Sequence, residues 1–352
     1  MLAERLTAQL LSGAPARDPV QVVRRLLAVQ AQDPRGARLA IRVRSEGLSA
    51  ADVDRALTED RSLLITWCNR GTLHLLARED YPWLHALIAP TLFTASARRL
   101  AQEGVRPDAA ERGVGAIERA LSEDGPLNRL QLRARIDAAG VPTEGQALVH
   151  LLLLASLRGI IVRGPMLDGQ HAYALVNDWL GPSKPVDRER ALAELARRYL
   201  AGHGPADERD LARWSGLALR DARAGMGIIA AELNRRDDGL FELAISPEAA
   251  PLPAPRLLGA FEPVLLGWRS REQLIDPSEQ RLVTVNGIFR AFALVNGRAV
   301  ALWKLSAAGE LALEPFAPIE DREQAALHGD GEDVRRFLGR YPGGGSAPNA
   351  HA

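Results

Sequence analysis

GQALVHLLLLASLRGIIVRGPMLDGQHAYALV, residues 145–176, changes character halfway. ALVHLLLLASL at 147–157 is the longest apolar run in the chain and has about the length of a buried helix. It falls short of the roughly 20 apolar residues that a membrane span needs. GIIVRG and HAYALV then read as two β-prone runs joined by PMLDGQ, a hairpin. Two further helical stretches precede it, AIERALSED from 116 and NRLQLRARIDAAG from 128. Three helices followed by a hairpin is the outline of a winged helix.

The outline recurs on both sides. Downstream stand RERALAELARRYLAGHG, ADERDLARWSG and DARAGMGIIAAELNRR, then GLFELAIS as a strand. The two copies share an echo: Gly125-Pro126 precedes Leu132 at the same spacing as Gly204-Pro205 precedes Leu211. Upstream, Asp18-Pro19 reads as an N-cap with Pro at the first helical position, and Val22, Val23, Leu26 and Leu27 follow at helical spacing. Asp33-Pro34 is expected to end that helix. SAADVDRALTED at 49–60 is a further helix with Asp52 placed for a capping box, and RSLLITW and GTLHLLA, joined by CNR, form a hairpin. A Pro-rich stretch, SPEAAPLPAPRLL at 246–258, reads as a linker. Beyond it LLGAFEPVLLGW, RLVTVNGIFRAFALV, RAVALWKL and LALEPFA are β-rich, with turns at Asn286-Gly287 and Asn296-Gly297 and a closing helix near DGEDVRRFLGR. The expected fold is α+β. Tandem winged-helix motifs over 1–110, 111–182 and 183–250 precede an antiparallel β-barrel over 251–340 and a disordered tail over 341–352.

Composition narrows the function. The chain has 352 residues with a formal net charge of zero, which excludes a globally basic nucleic-acid binder but not a local basic face. Cys68 is the single cysteine, so intrachain disulfides and Cys-rich zinc sites are out. The seven histidines form no HxH or HExxH arrangement, so no metal is expected. Walker, GxGxxG and GxSxG motifs are missing as well. No cofactor, no membrane contact, a monomeric state and a bacterial cytoplasmic location are the expectations.

Three features carry possible chemistry. Gln30 and Gln32, in VQAQDP, sit at what reads as a helix end; they either cap loose backbone groups or form the working part of a site. Arg35, Arg38 and Arg42 recur at helical spacing, a face for DNA phosphates or an ordinary solvated helix side. In ITWCNRGTLHLLA, residues 65–77, Asn69 and Arg70 stand at the hairpin tip, with Thr72 and His74 on one face. That shape fits a groove; His74 fits equally as a hydrogen-bonded, partly buried histidine.

VQAQDPRGA, TWCNRGTLHLL, GPADERDLARWSGL, LLGAFEPVLLGWRSR and VNGIFRAFALV together resemble the AlkZ-like family, bacterial winged-helix proteins that include DNA glycosylases acting on alkylated bases. The resemblance runs from about residue 2 to 340. It implies tandem winged helices, a C-terminal β-barrel, a catalytic Gln-x-Gln motif at Gln30 and Gln32, and a 65–77 hairpin lying against DNA. The function it implies is a monofunctional DNA glycosylase that releases N7-alkylated purines from double-stranded, alkylated DNA, bulky adducts or interstrand crosslinks included. Arg35, Arg38 and Arg42 would hold phosphates, and Asn69, Arg70, Thr72 and His74 would work at the groove. Asp33 is either a water-activating carboxylate or half of a turn-forming Asp-Pro pair. The rival readings are a winged-helix transcriptional regulator without catalysis and a protein-interaction module.

Overall fold

In the computed structural model, residues 1–182, 185–284, 287–306 and 308–339 are described. The tail over 341–352 and Asn286 of the expected 286–287 turn lie outside them. The chain divides into two compact units. The first gathers the described residues of 1–53 and 192–339, and the second those of 54–191. The Pro-rich stretch at 246–258 therefore does not separate domains, because both of its flanks lie in the first unit.

The second unit carries the opening stretch. Ala147–Leu157 is a helix buried along nearly its whole length, as its unbroken apolar sequence requires. Strands Ile161–Leu167 and Gln170–Leu175 follow as an antiparallel hairpin. Leu63–Trp67 and Leu73–Ala77 make another, in register from Leu63 opposite Ala77 to Trp67 opposite Leu73. The hairpins join through Ile65 opposite Arg163. Helices Tyr81–Gln102, Pro107–Asp124 and Arg129–Ala138 supply Leu100, Ile117, Leu121, Leu132 and Ile136 to the core under this sheet.

The echo between the two repeats is structural. After Gly125-Pro126, Leu127 bridges Tyr173 of the hairpin, and Asn128 then opens Arg129–Ala138 in a capping box with Gln131. After Gly204-Pro205, Ala206 bridges Phe241, and Asp207 opens Glu208–Ser215 in a capping box with Asp210. Each Gly-Pro pair thus delivers one residue to a strand and the next to a helix cap. Leu219–Ile228 and the small antiparallel pair Leu233–Arg235 and Phe241–Leu243 complete the later copy.

The C-terminal region departs from expectation. Its sheet has four antiparallel strands in the order Leu311–Pro315, Arg298–Leu305, Phe292–Val295, Arg256–Leu258, and it is not closed into a barrel. Two of the expected strands are too irregular to add to it. FEPVLLGW turns into the short helix Pro263–Leu266, and Val283 and Phe289 share only an isolated bridge. Asn296 and Gly297 both take positive φ, 50° and 76°, the tight hairpin turn their sequence calls for. Helix Asp321–Leu338 covers one face of the open sheet, packing Leu327 and Val334 on Leu257, Ala293 and Trp303.

Candidate active site

VQAQDP is not the end of a helix. Helix Pro19–Leu26 stops as Leu27 takes φ 64°, and Val29–Gln30 forms a two-residue strand. Asp33-Pro34 begins the next helix, Pro34–Arg42, instead of ending the previous one. Asp33 is its N-cap: Oδ1 accepts from the amides of Arg35 at 2.9 Å and Gly36 at 3.1 Å. Gln30 is buried and Gln32, two residues on, is exposed. Gln30 Nε2 donates to Gln32 Oε1. A buried amide thus fixes the orientation of an exposed one, just before a helix start.

That helix is held hard against the C-terminal segment of the same unit. A Cβ on Gly36 would stand 2.4 Å from the carbonyl oxygen of Ala260, so only glycine allows the two backbones this approach. Arg42 donates to the Leu257 carbonyl at 2.7 Å and pairs with Asp330 at 2.9 Å and Asp333 at 3.0 Å. Arg44 and Glu262 form an ion pair in which both side chains are fully enclosed. Arg44 also donates to the Gln9 carbonyl at 2.7 Å and the Gln9 side-chain oxygen at 3.0 Å.

The arginine row reads differently in this setting. Arg42 is committed to two aspartates and a carbonyl, and Arg38 is buried with Nη1 donating to the Pro34 carbonyl at 2.9 Å. Neither presents a phosphate-binding face, which corrects two of the three assignments. Arg35 is half-buried, with its guanidinium 5.9 Å from the Trp303 ring centroid and its Nε enclosed without a partner among the described residues. Burial lowers its pKa, and the Asp33 carboxylate opposes that shift.

At the tip of the 63–77 hairpin, Asn69–Gly71 form a single tight turn with Arg70 at φ 57°. Asn69 is fully enclosed: its Oδ1 accepts from the Cys68 thiol at 3.4 Å, and its Nδ2 has no partner among the described residues. It shapes the turn from inside and does not stand at an exposed tip, a second correction. Arg70 and Thr72 are half-buried, and Thr72 Oγ1 donates to the Asn69 carbonyl at 3.1 Å. His74 is buried, with Nδ1 on the Thr72 carbonyl at 2.9 Å, so of the two readings of His74 the hydrogen-bonded, enclosed one holds. Burial, aided by the charge of Arg70, pushes its imidazole down to about 3.

The unfolded chain takes up a proton near pH 6.5 that the folded site refuses. The contribution of His74 is therefore fully present above about pH 6.5 and falls as the pH drops towards about 3, at about 1.4 kcal/mol per pH unit. Urea titrations at neutral and mildly acid pH are expected to show a shallower acid loss in His74→Leu than in wild type. Equal slopes would contradict the assignment.

The amides, the capped helix start and the half-buried Arg35 belong to one unit, and the hairpin residues to the other. Among the described residues no cluster of three or more His, Cys, Asp or Glu could hold a metal ion, and no helix is long and apolar enough to cross a membrane. The residues missed from the sequence are those that seat the helix: Glu262, Gln9, Asp330 and Asp333. Only the last two left a signal, since their spacing of three puts both on one helix face.

Comparison with known proteins gives a class first, the DNA glycosylases. The family model described as DNA glycosylase AlkZ-like matches residues 23–337. The chain belongs to this AlkZ-like family. A curated relative, the interstrand DNA cross-link repair glycosylase of Streptomyces sahachiroi, is 27% identical over 362 residues, covering 96% of each chain. The solved structure of the DNA glycosylase AlkZ from the same organism superposes with a TM-score of 0.76 at 25% identity, covering 96% of this chain and 95% of that one. The family defines the coarse function, a DNA glycosylase that hydrolyses N-glycosyl bonds in DNA.

Proposed function

We propose that this protein is a monofunctional glycosylase of base excision repair that releases N7-alkylated purines, with Gln30 and Gln32 carrying the chemistry. The observation behind this reading is the amide pair itself: a buried Gln30 that donates to an exposed Gln32, at the start of a helix clamped from behind. Amides do not titrate near neutral pH, so the pair cannot protonate a leaving base. An N7-alkylguanine needs no proton, because it already carries a positive charge and departs neutral. What remains is to hold a water at the sugar C1′ and to stabilise an oxocarbenium-like sugar. Two oriented amide oxygens do both, by position and by dipole. Asp33 spends one carboxylate oxygen on two backbone amides, which supports a capping role.

Arg35 is the cation assigned to phosphates, and Arg70 and Thr72 stay assigned to the hairpin's groove-facing end, with the enclosed His74 packed beneath them. Asn69, Arg38 and Arg42 act by shaping and seating these elements. The helix-then-hairpin repeats serve as winged helices that grip duplex DNA. The relative's work on interstrand crosslinks extends the proposed substrates to bulky N7 adducts. The two lysines in the chain, Lys184 and Lys304, lie far from the motif in sequence, and a Schiff-base lyase step is not part of the reading.

Free-base release from duplexes with a single 7-methylguanine or a single uracil tests the substrate class. The expected result is release of 7-methylguanine and no detectable release of uracil. Efficient uracil excision would rule out a mechanism that depends on a cationic leaving group.

A further inference from the structure

The segment Trp268–Arg271, WRSR, takes no part in the amide site, yet it lines a cleft of about 780 Å³ within the first unit. That volume lies in the range of small-ligand sites. Two arginines in the cleft are built alike. Arg5, with a side chain only 10% exposed, donates through Nε to the Pro205 carbonyl at 3.0 Å and stacks 4.6 Å from the Trp268 ring centroid. Arg271 donates through Nε to the Leu265 carbonyl at 2.6 Å and stacks 4.9 Å from the Phe289 ring centroid.

Neither arginine is neutralised by a hydrogen-bonded carboxylate. Arg5 has only a long ion pair, Nη2 to Asp210 at 3.9 Å, and Asp210 is held more closely by Arg269, which donates to it from its backbone amide at 3.0 Å and from Nε at 3.2 Å. Arg271 has no ion pair among the described residues, and the charge of exposed Arg213 acts on it as an unfavourable like charge. Three of the acids lining the cleft have partners of their own: Glu279 with Arg281 at 2.6 Å, Asp238 with Arg236 at 3.3 Å, Asp276 with Ser278 at 2.6 Å; a further one, Glu272, is exposed. Burial already costs both cleft guanidiniums some of their preference for the charged form. Desolvated guanidiniums with their Nη groups left over are the usual apparatus for a forked anion such as phosphate. A further polar atom, Gln273 Oε1, is enclosed in the same cleft with no donor among the described residues.

We propose that this cleft binds a nucleotide phosphate, with Arg5 and Arg271 as the two forks and Gln273 accepting an N–H from the attached base. The phosphate belongs either to a DNA strand or to a free nucleotide. The proposal is independent of the amide mechanism, and its readout is binding, not base release.

The test is calorimetric titration of the full chain with inorganic phosphate, with 2′-deoxyguanosine 5′-monophosphate, and with a short duplex at several salt concentrations. Wild type, Arg271→Gln, Arg271→Lys and Gln273→Leu are compared, each checked for an unchanged melting temperature in the absence of ligand. Saturable binding of the nucleotide is expected, weakened about tenfold or more in Arg271→Gln and less in Arg271→Lys, which keeps the charge but loses the fork. Gln273→Leu is expected to weaken the nucleotide and leave inorganic phosphate unchanged. If only the duplex responds, with a salt slope lowered by about 1 in Arg271→Gln, the phosphate is that of DNA. Affinities and salt slope unchanged in Arg271→Gln for all three probes would overturn the proposal. Should that variant not fold, undiminished binding by Arg271→Lys and Gln273→Leu together would do the same.

Discussion

Replacing Gln30 and Gln32 together by alanine is expected to lower the single-turnover rate of 7-methylguanine release about 100- to 1,000-fold, the scale seen when preorganised transition-state dipoles are removed. Affinity for undamaged duplex is expected to stay within about twofold, because phosphate contacts dominate it and neither amide is a cation. The single variants are predicted to be strongly non-additive. Gln30 is buried and orients Gln32, so its loss also releases the exposed amide, and Gln30→Ala should fall most of the way to the double variant. Rates measured with enzyme in excess over substrate separate this from product release. A double variant as fast as wild type would remove the amide pair from the chemistry altogether.

The second large effect is on stability. Glu262→Ala is expected to cost about 3–5 kcal/mol in urea unfolding, because it leaves the Arg44 guanidinium enclosed and uncompensated. Replacing Arg44 and Glu262 together by apolar residues of similar size should cost much less, since the uncompensated charge is then gone. The ion pair sits behind the helix that follows the amides, so Glu262→Ala should also slow base release in whatever fraction remains folded. A loss below about 1 kcal/mol would mean that the site relaxes or admits water, which a pair with both side chains fully enclosed does not suggest.

How much of this was readable in the sequence depends on the range of the interactions. The hairpins, the capping residues Asp18 and Asp52 and the Asn296-Gly297 turn follow local rules and form as the pattern called for, although Pro165–Leu167 and Gln170, expected in a connecting loop, extend the strands of their hairpin. Asp33-Pro34 is equally local, but an Asp-Pro pair serves to end one element or to begin the next. Here it begins one, which moves Gln30 from a helix end into a buried strand. Arg42 could not be read locally at all: its partners Asp330 and Asp333 lie 288 and 291 residues away. A helical row of arginines looks the same in sequence whether it faces water or an acidic helix. The barrel expectation failed for a related reason. Apolar runs such as FEPVLLGW satisfy a strand pattern, yet Pro263 starts a helical turn there and the sheet stays open. For the glutamines, residue pattern left capping and catalysis both open, and resemblance to a family was what favoured catalysis.

The central claim is that uncharged groups carry out the hydrolysis because the leaving base brings its own charge. Its most direct test is the acid limb of the pH–rate profile, measured as single-turnover release of 7-methylguanine from about pH 5.5 to 7, where an imidazole, or a carboxylate raised into that range, acting as acid or base would show its titration. A flat limb is the predicted result, since neither Gln30 nor Gln32 titrates. A rate that changes about tenfold per pH unit in that window, in either direction, would contradict it.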